Sequence, residues 1–181
     1  MSFANVLSEV PVNDLARWVV IGNSGVGKSH FAARIGALLQ LPVCDLDLVH
    51  WRANGRKRDE AEAYSCIYAT ASGPRWVIEG VYGWLVEPAL IRASALVWLD
   101  LHWDVCSDGL MQRGLRRGMT AADQEALRAW AQAYWTRTSS SSFSGHEQLY
   151  LAYAGAKERL RTRAQVDAFA PADLVPGLGT D

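Results

Sequence analysis

Nothing in this 181-residue sequence reaches the length of a membrane span: no stretch approaches the roughly 18 apolar residues that a bilayer crossing needs. The start of the chain also lacks a basic region followed by an apolar segment, so no export signal is read and the expected location is the cytoplasm. Charge of one sign is missing too. Eighteen Lys and Arg stand against 19 Asp and Glu, which leaves no basic field to recruit nucleic acid or anionic lipid. Direct nucleic-acid binding is therefore not expected. Cysteine is scarce: Cys44, Cys66 and Cys106 are far apart, form no C-x-x-C pair and lie in apolar segments, so they read as free buried thiols. Internal repeats and long linkers are absent as well. A chain of this size fits one α/β unit, and a single domain spanning 1–181 is expected.

What is present is concentrated between Gly22 and Ser29. The run Gly-Asn-Ser-Gly-Val-Gly-Lys-Ser fills the phosphate-loop pattern G-x-x-x-x-G-K-[ST] without a departure. Its flanks are those the motif requires. Arg17-Trp-Val-Val-Ile21 is a β-branched apolar run, and the segment from His30 to Gln40 carries Phe31, Ile35, Leu38 and Leu39 at helical spacing. In a strand–turn–helix of this kind the backbone N–H groups of about residues 24 to 29 surround a β-phosphate, where the helix dipole also favours an anion. Gly22, Asn23, Ser24, Gly25, Val26, Gly27, Lys28, Ser29 and His30 are thus expected to hold a nucleoside triphosphate. Lys28 adds charge for the β- and γ-phosphates, and the Ser29 hydroxyl is placed to ligate Mg²⁺.

Apolar strand-like runs then alternate with helical ones, the pattern of a parallel sheet covered on both faces. Strands are expected at Pro42–Asp47, Arg75–Glu79, Ala95–Asp100 and Val166–Phe169. Helices are expected from Asp59 to Gly73-Pro74, from Asp104 to Gly118, from Thr120, and from Ser144, where Ser-Gly-His-Glu147 has the form of a capping box. The Ser-rich segment Thr138–Ser144 reads as a mobile loop. Ligands gather at the carboxyl ends of strands in such sheets, which singles out Asp47, Glu79 and Asp100. Glu79 and Asp100 both qualify as a partner of Mg²⁺ on pattern alone. No Asn-Lys-x-Asp segment selects guanine and no Leu-Ser-Gly-Gly-Gln segment completes a transporter-type ATPase, so a small kinase is the leading class.

The segments Leu41-Pro-Val, Leu46-Asp-Leu-Val-His-Trp51, Trp76-Val-Ile-Glu-Gly80-Val-Tyr82, Leu99-Asp100 and Arg113 to Arg117 resemble the small adenylate-kinase-like P-loop kinases, most closely the group labelled DNA topology modulation proteins. The resemblance covers about residues 17 to 120. It implies a three-layer P-loop NTPase fold, with a five-stranded parallel sheet flanked by helices and a small helical lid. It also implies that the strand ending at Glu79 lies beside the phosphate-loop strand, which makes Glu79 the metal ligand, directly or through water. The family has Asp there, so Glu79 departs by one methylene. An acceptor-binding insert at about 48–74 and a lid at about 113–145 follow from the same likeness. Arg113 and Arg117 become the residues expected on the ATP phosphates, with Arg137 as a weaker lid residue.

Asp47, Trp51 and Arg58 are expected at the acceptor. The arginines of that insert suit an anionic acceptor, whereas Asp47 suits a hydroxyl that benefits from a base. The combined expectation is transfer of the γ-phosphoryl group of Mg-ATP to a small acceptor, first a nucleoside or nucleotide. A regulatory ATPase acting on a macromolecule and a sugar or cyclitol kinase using Asp47 as base are the alternatives.

Overall fold

The computed structural model describes residues 15–114 and 119–174. Five strands alternate with helices in the order β1 (Arg17–Gly22), α1 (Lys28–Leu39), β2 (Val43–Asp45), α2 (Leu46–His50), α3 (Glu60–Ala71), β3 (Trp76–Gly80), α4 (Gly83–Leu90), β4 (Ala95–Leu99), α5 (Trp103–Arg113), α6 (Ala121–Gln132), α7 (Phe143–Ala152), β5 (Ala156–Leu160) and α8 (Arg163–Ala168). The sheet order is β2-β3-β1-β4-β5 and every pairing is parallel. β1 sits at the centre because its apolar residues serve both faces. Trp18 and Val20 belong to the core layer under α1, α5 and α8, while Val19 and Ile21 belong to the opposite layer with α3, α4 and α7. No helix among the described residues is long and apolar enough to cross a membrane.

The five-stranded parallel sheet is as expected, but the fifth strand is not where the apolar pattern puts it. β5 is Ala-Lys-Glu-Arg-Leu at 156–160, and Val166–Phe169 falls largely in α8. β5 pairs only with β4, and as an edge strand it leaves Lys157, Glu158 and Arg159 partly in solvent. Its charge hid it. Thr162 and Gln165 form a reciprocal capping box that starts a helix instead. Phe169 follows that helix, buried against Trp18 and Phe31.

Four smaller differences have local causes. β2 ends at Asp45, whose side chain accepts the Asp47 N–H at 2.8 Å and opens α2, so Asp47 lies on a short helix rather than at a strand end. α7 begins at Phe143 with Ser142 as its cap, and Ser144 lies inside the helix. The Ser-rich segment is packed rather than mobile: Ser142 is fully buried, and the Ser140 carbonyl approaches Gly83 and Gly145 so closely that a Cβ on either would lie 2.0 or 2.5 Å from its oxygen. α4 goes unread in the sequence because Pro88 interrupts its pattern.

Candidate active site

The phosphate loop leaves the end of β1 and closes on the first turn of α1. Two of its glycines are required by conformation. Gly25 has φ 82° and Gly27 φ 99°, a region in which L side chains are strained. Gly25 is also pressed against α5, where a Cβ would come 2.1 Å from the Cys106 carbonyl oxygen. Gly25→Ala is therefore expected to destabilise the fold by at least about 2 kcal/mol through backbone strain and displacement of α5. Thermal melting checks this, and an unchanged melting temperature would show that the loop tolerates the methyl group.

Gly27 occupies the cap position of α1 and supplies no side-chain cap. The first-turn N–H groups of a helix have no intrahelical acceptor, so this end is open to an anion. Lys28 folds back over the loop, its Nζ donating to the Asn23 carbonyl at 2.9 Å. The Asn23 side chain is buried and does two things: Oδ1 accepts the Ser24 N–H at 2.8 Å, and Nδ2 donates to the Ala131 carbonyl on α6 at 2.8 Å. His30 lies on the exposed side of α1.

Because β3 pairs with β1, Val20 opposite Glu79, the Glu79 carboxylate arrives beside the loop. Ser29 Oγ donates to Glu79 Oε1 at 2.6 Å. Glu79 is 2 % exposed, and burial raises its pKa above the ordinary carboxylate value; Lys28 and the Ser29 bond pull it back, while Asp45 and Asp47 push it further up. A hydroxyl and a carboxylate in contact are hard oxygen donors of the kind Mg²⁺ takes. Among the described residues no group of three His, Cys, Asp or Glu could form an all-protein cage. Mg²⁺ beside a nucleotide is commonly held by one or two protein oxygens together with phosphates and water. Asp100, the other carboxylate in question, is engaged elsewhere: Arg159 donates to it through Nε at 3.0 Å and Nη2 at 2.9 Å, tying β4 to β5.

A cavity of about 870 Å³ opens along the loop, lined in part by Lys28, Arg34, Asp108, Arg113 and Arg163. Arg163 is a residue that sequence reasoning missed. Its Nη2 donates to the Val26 carbonyl at 3.3 Å, and its guanidinium covers Gly27. Only its place, first in the helix after an unrecognised strand, could have pointed to it. Arg113 ends α5 at this cavity, whereas Arg117 lies outside the described residues.

The residues expected at the acceptor form a separate group on the β3 side. Asp47 is half-buried on α2, close enough to Glu79 and His50 for its charge to bear on both. His50 is buried and stacked on Tyr82 at 4.1 Å, and the partly exposed Trp51 donates its indole N–H to the Tyr82 hydroxyl at 3.0 Å. Arg58 does not reach outward: Nη1 donates to Glu62 and Nε to the Val49 carbonyl at 2.8 Å, and Arg52 binds the same glutamate. Arg137 lies with its guanidinium 3.7 Å from the centre of the Trp130 ring and donates to the Ser141 carbonyl, but its Nε and Nη1 are buried without a partner. Burial lowers its pKa accordingly.

No protein-family model matches the chain, and no curated protein matches its sequence. Solved structures do. A shikimate kinase from Bacteroides thetaiotaomicron superimposes with a TM-score of 0.55 at 19% identity, over 84% of this chain and 93% of that one. A gluconokinase from Sinorhizobium meliloti 1021 gives 0.49 at 16% identity, over 89% and 87%. The chain shares the fold of that shikimate kinase, a five-stranded parallel sheet flanked by helices.

Proposed function

We propose that this protein transfers the γ-phosphoryl group of Mg-ATP to a hydroxyl of a small acceptor, a nucleoside in the first instance. The observation that carries this reading is the contact of Ser29 with the buried Glu79 beside the uncapped first turn of α1 and Lys28. The open N–H groups and Lys28 bind the β- and γ-phosphates. Ser29 and Glu79 would hold Mg²⁺, which when bound neutralises charge on the transferring group. Arg113, which lines the phosphate cavity, supplies further positive charge.

On the acceptor side, Asp47 takes the proton of the attacking hydroxyl as its oxygen bonds to the γ-phosphorus and the bond to the β-phosphate oxygen breaks. Arg52 and Arg58 share the single carboxylate of Glu62, which leaves one positive charge over, so the choice of a hydroxyl acceptor rests on Asp47. Trp51 offers that acceptor an exposed aromatic surface. The finer likeness to the group labelled DNA topology modulation proteins rests on the sequence segments quoted above; a role on a macromolecule draws no support from the near-neutral charge.

Mg·ATP-dependent ADP release, measured across nucleosides, nucleoside monophosphates and sugar or cyclitol alcohols, tests this reading. The expected result is stimulation by a neutral hydroxyl compound, with Asp47→Asn lowering kcat by about 10²-fold or more and leaving ATP binding intact. Stimulation by nucleoside monophosphates that survives Asp47→Asn would overturn the assignment of Asp47 as base.

A further inference from the structure

A chain of buried hydrogen bonds crosses the apolar layer on the α7 side of the sheet, and the phosphate chemistry does not use it. Trp98 of β4, Tyr134 in the turn after α6 and His146 of α7 are all shut away from solvent. Trp98 Nε1 lies 3.3 Å from the Tyr134 hydroxyl, that hydroxyl 2.7 Å from His146 Nδ1, and His146 Nε2 3.0 Å from the Val81 carbonyl oxygen. A carbonyl oxygen only accepts, so Nε2 carries a proton. Burial, helped by the positive charges of Lys28 and Arg137, pushes the imidazole pKa down to about 3, although the bond to Val81 favours the charged form. The ring is therefore neutral and Nδ1 is bare. The Tyr134 proton goes to Nδ1, and the Tyr134 oxygen accepts the Trp98 indole N–H. Each donor is used once, and the direction of every bond follows.

The place where this chain ends is the functional point. Val81 stands two residues after Glu79 and one before Tyr82, which caps α4 and stacks on His50. The same turn is gripped from the other side by the Ser140 carbonyl against Gly83. The segment bearing Tyr134 and His146 also receives Asn23 of the phosphate loop, through the Ala131 carbonyl. One helical unit thus holds both the nucleotide loop and the exit of β3. Apolar side chains of similar volume would fill this layer without loss of stability; a fully satisfied polar chain adds a single defined position for one carbonyl.

We propose that His146, held by Tyr134 as the Nε2–H tautomer, is a positioning residue for the acceptor half of the site, fixing the Val81 carbonyl and through it the next residue, Tyr82, which stacks on His50 and accepts the Trp51 indole N–H. The role in acceptor binding rests on the phosphotransfer reading above; the hydrogen-bond assignment does not.

Two measurements test it on the full chain. Imidazole ¹⁵N spectra of the wild type are expected to show His146 as the Nε2–H tautomer from pH 8 to pH 5; an Nδ1–H ring or an imidazolium in that range overturns the assignment. In kinetics with the hydroxyl compound of the panel that most stimulates ADP release, His146→Leu is expected to raise the acceptor KM about tenfold or more through lost alignment while the Mg·ATP KM stays within about twofold. His146→Gln, whose amide still donates toward Val81, is expected to recover most of the loss. Tyr134→Phe keeps the imidazole and frees its Nδ1, so it serves if His146→Leu does not fold, and it is expected to give a smaller rise of the same kind. An unchanged acceptor KM, equal rises in both KM values, or no recovery with Gln would each overturn the positioning role. A wild type that phosphorylates nothing sinks the phosphotransfer reading and the positioning role with it, while the tautomer is still decided by the spectra.

Discussion

A Glu79→Gln variant is expected to lose about 10²–10³-fold in Mg²⁺-dependent turnover, the scale of removing one preorganised charge contact, and yet to melt higher than the wild type. Both effects come from one burial. The carboxylate has contacts fit for a cation, the Ser29 hydroxyl at 2.6 Å and the charge of Lys28, but it is 2 % exposed and its pKa is raised. A carboxyl whose folded-state pKa exceeds its unfolded value binds more protons folded than unfolded between the two values. Stability therefore falls as pH rises through that window, and the penalty is complete above the raised value. Glutamine keeps an acceptor for Ser29 and carries no charge. Its advantage is expected to be full at neutral pH, about 2–4 °C in melting temperature for a chain of this size if the penalty is near 1 kcal/mol. It should disappear below the ordinary carboxyl value near 4.5. Melting curves at pH 7.5 and pH 4 check this; a variant that melts lower at pH 7.5 would show that the charge is stabilised rather than tolerated. A stable but inactive variant is the signature of a site strained for function.

Lys28→Ala is expected to cost about 10³-fold in turnover and to weaken ATP binding, since its ammonium lies over the phosphate loop, on the Asn23 carbonyl. The change reaches Glu79 as well. Lys28 is the largest influence lowering the Glu79 pKa, so without it the carboxyl rises further. The stabilising effect of Glu79→Gln is consequently expected to be greater in the Lys28→Ala background than in the wild type. The two substitutions are coupled, and a double-variant cycle read by melting measures the coupling. Simple additivity would mean that the two charges do not sense each other across the loop.

Local chemistry made the nucleotide half of this site legible. Gly25, Gly27, Lys28 and Ser29 announce themselves because a phosphate loop needs those residue types in that order, and β1 and β3 are apolar because both faces of a central parallel strand are buried. Glu79 could be placed beside the loop only through the family likeness, since pairing of β3 with β1 is a long-range fact. What stayed unread depends on partners distant in sequence. β5 is an edge strand whose Lys157 and Arg159 find their partners elsewhere, Lys157 on the Tyr150 and Tyr153 carbonyls and Arg159 on Asp100. Arg58 looked available because nothing in the sequence shows that Glu62, one helical turn on, claims it. The Ser-rich segment looked mobile from composition, but its buried Ser142 caps α7 and its backbone fits between two glycines. His146 and Tyr134, twelve residues apart, meet only through the turn at Ala133–Trp135.

Transfer of ³²P from γ-labelled Mg-ATP tests the central claim most directly, with products separated into inorganic phosphate and phosphorylated acceptor, across the acceptor panel and with Lys28→Ala as the blank. The account predicts label on a neutral hydroxyl acceptor, lost in the blank and reduced in Glu79→Gln. Label that appears only as inorganic phosphate, at a rate no acceptor changes, would contradict it and identify a nucleotide hydrolase built on a kinase fold.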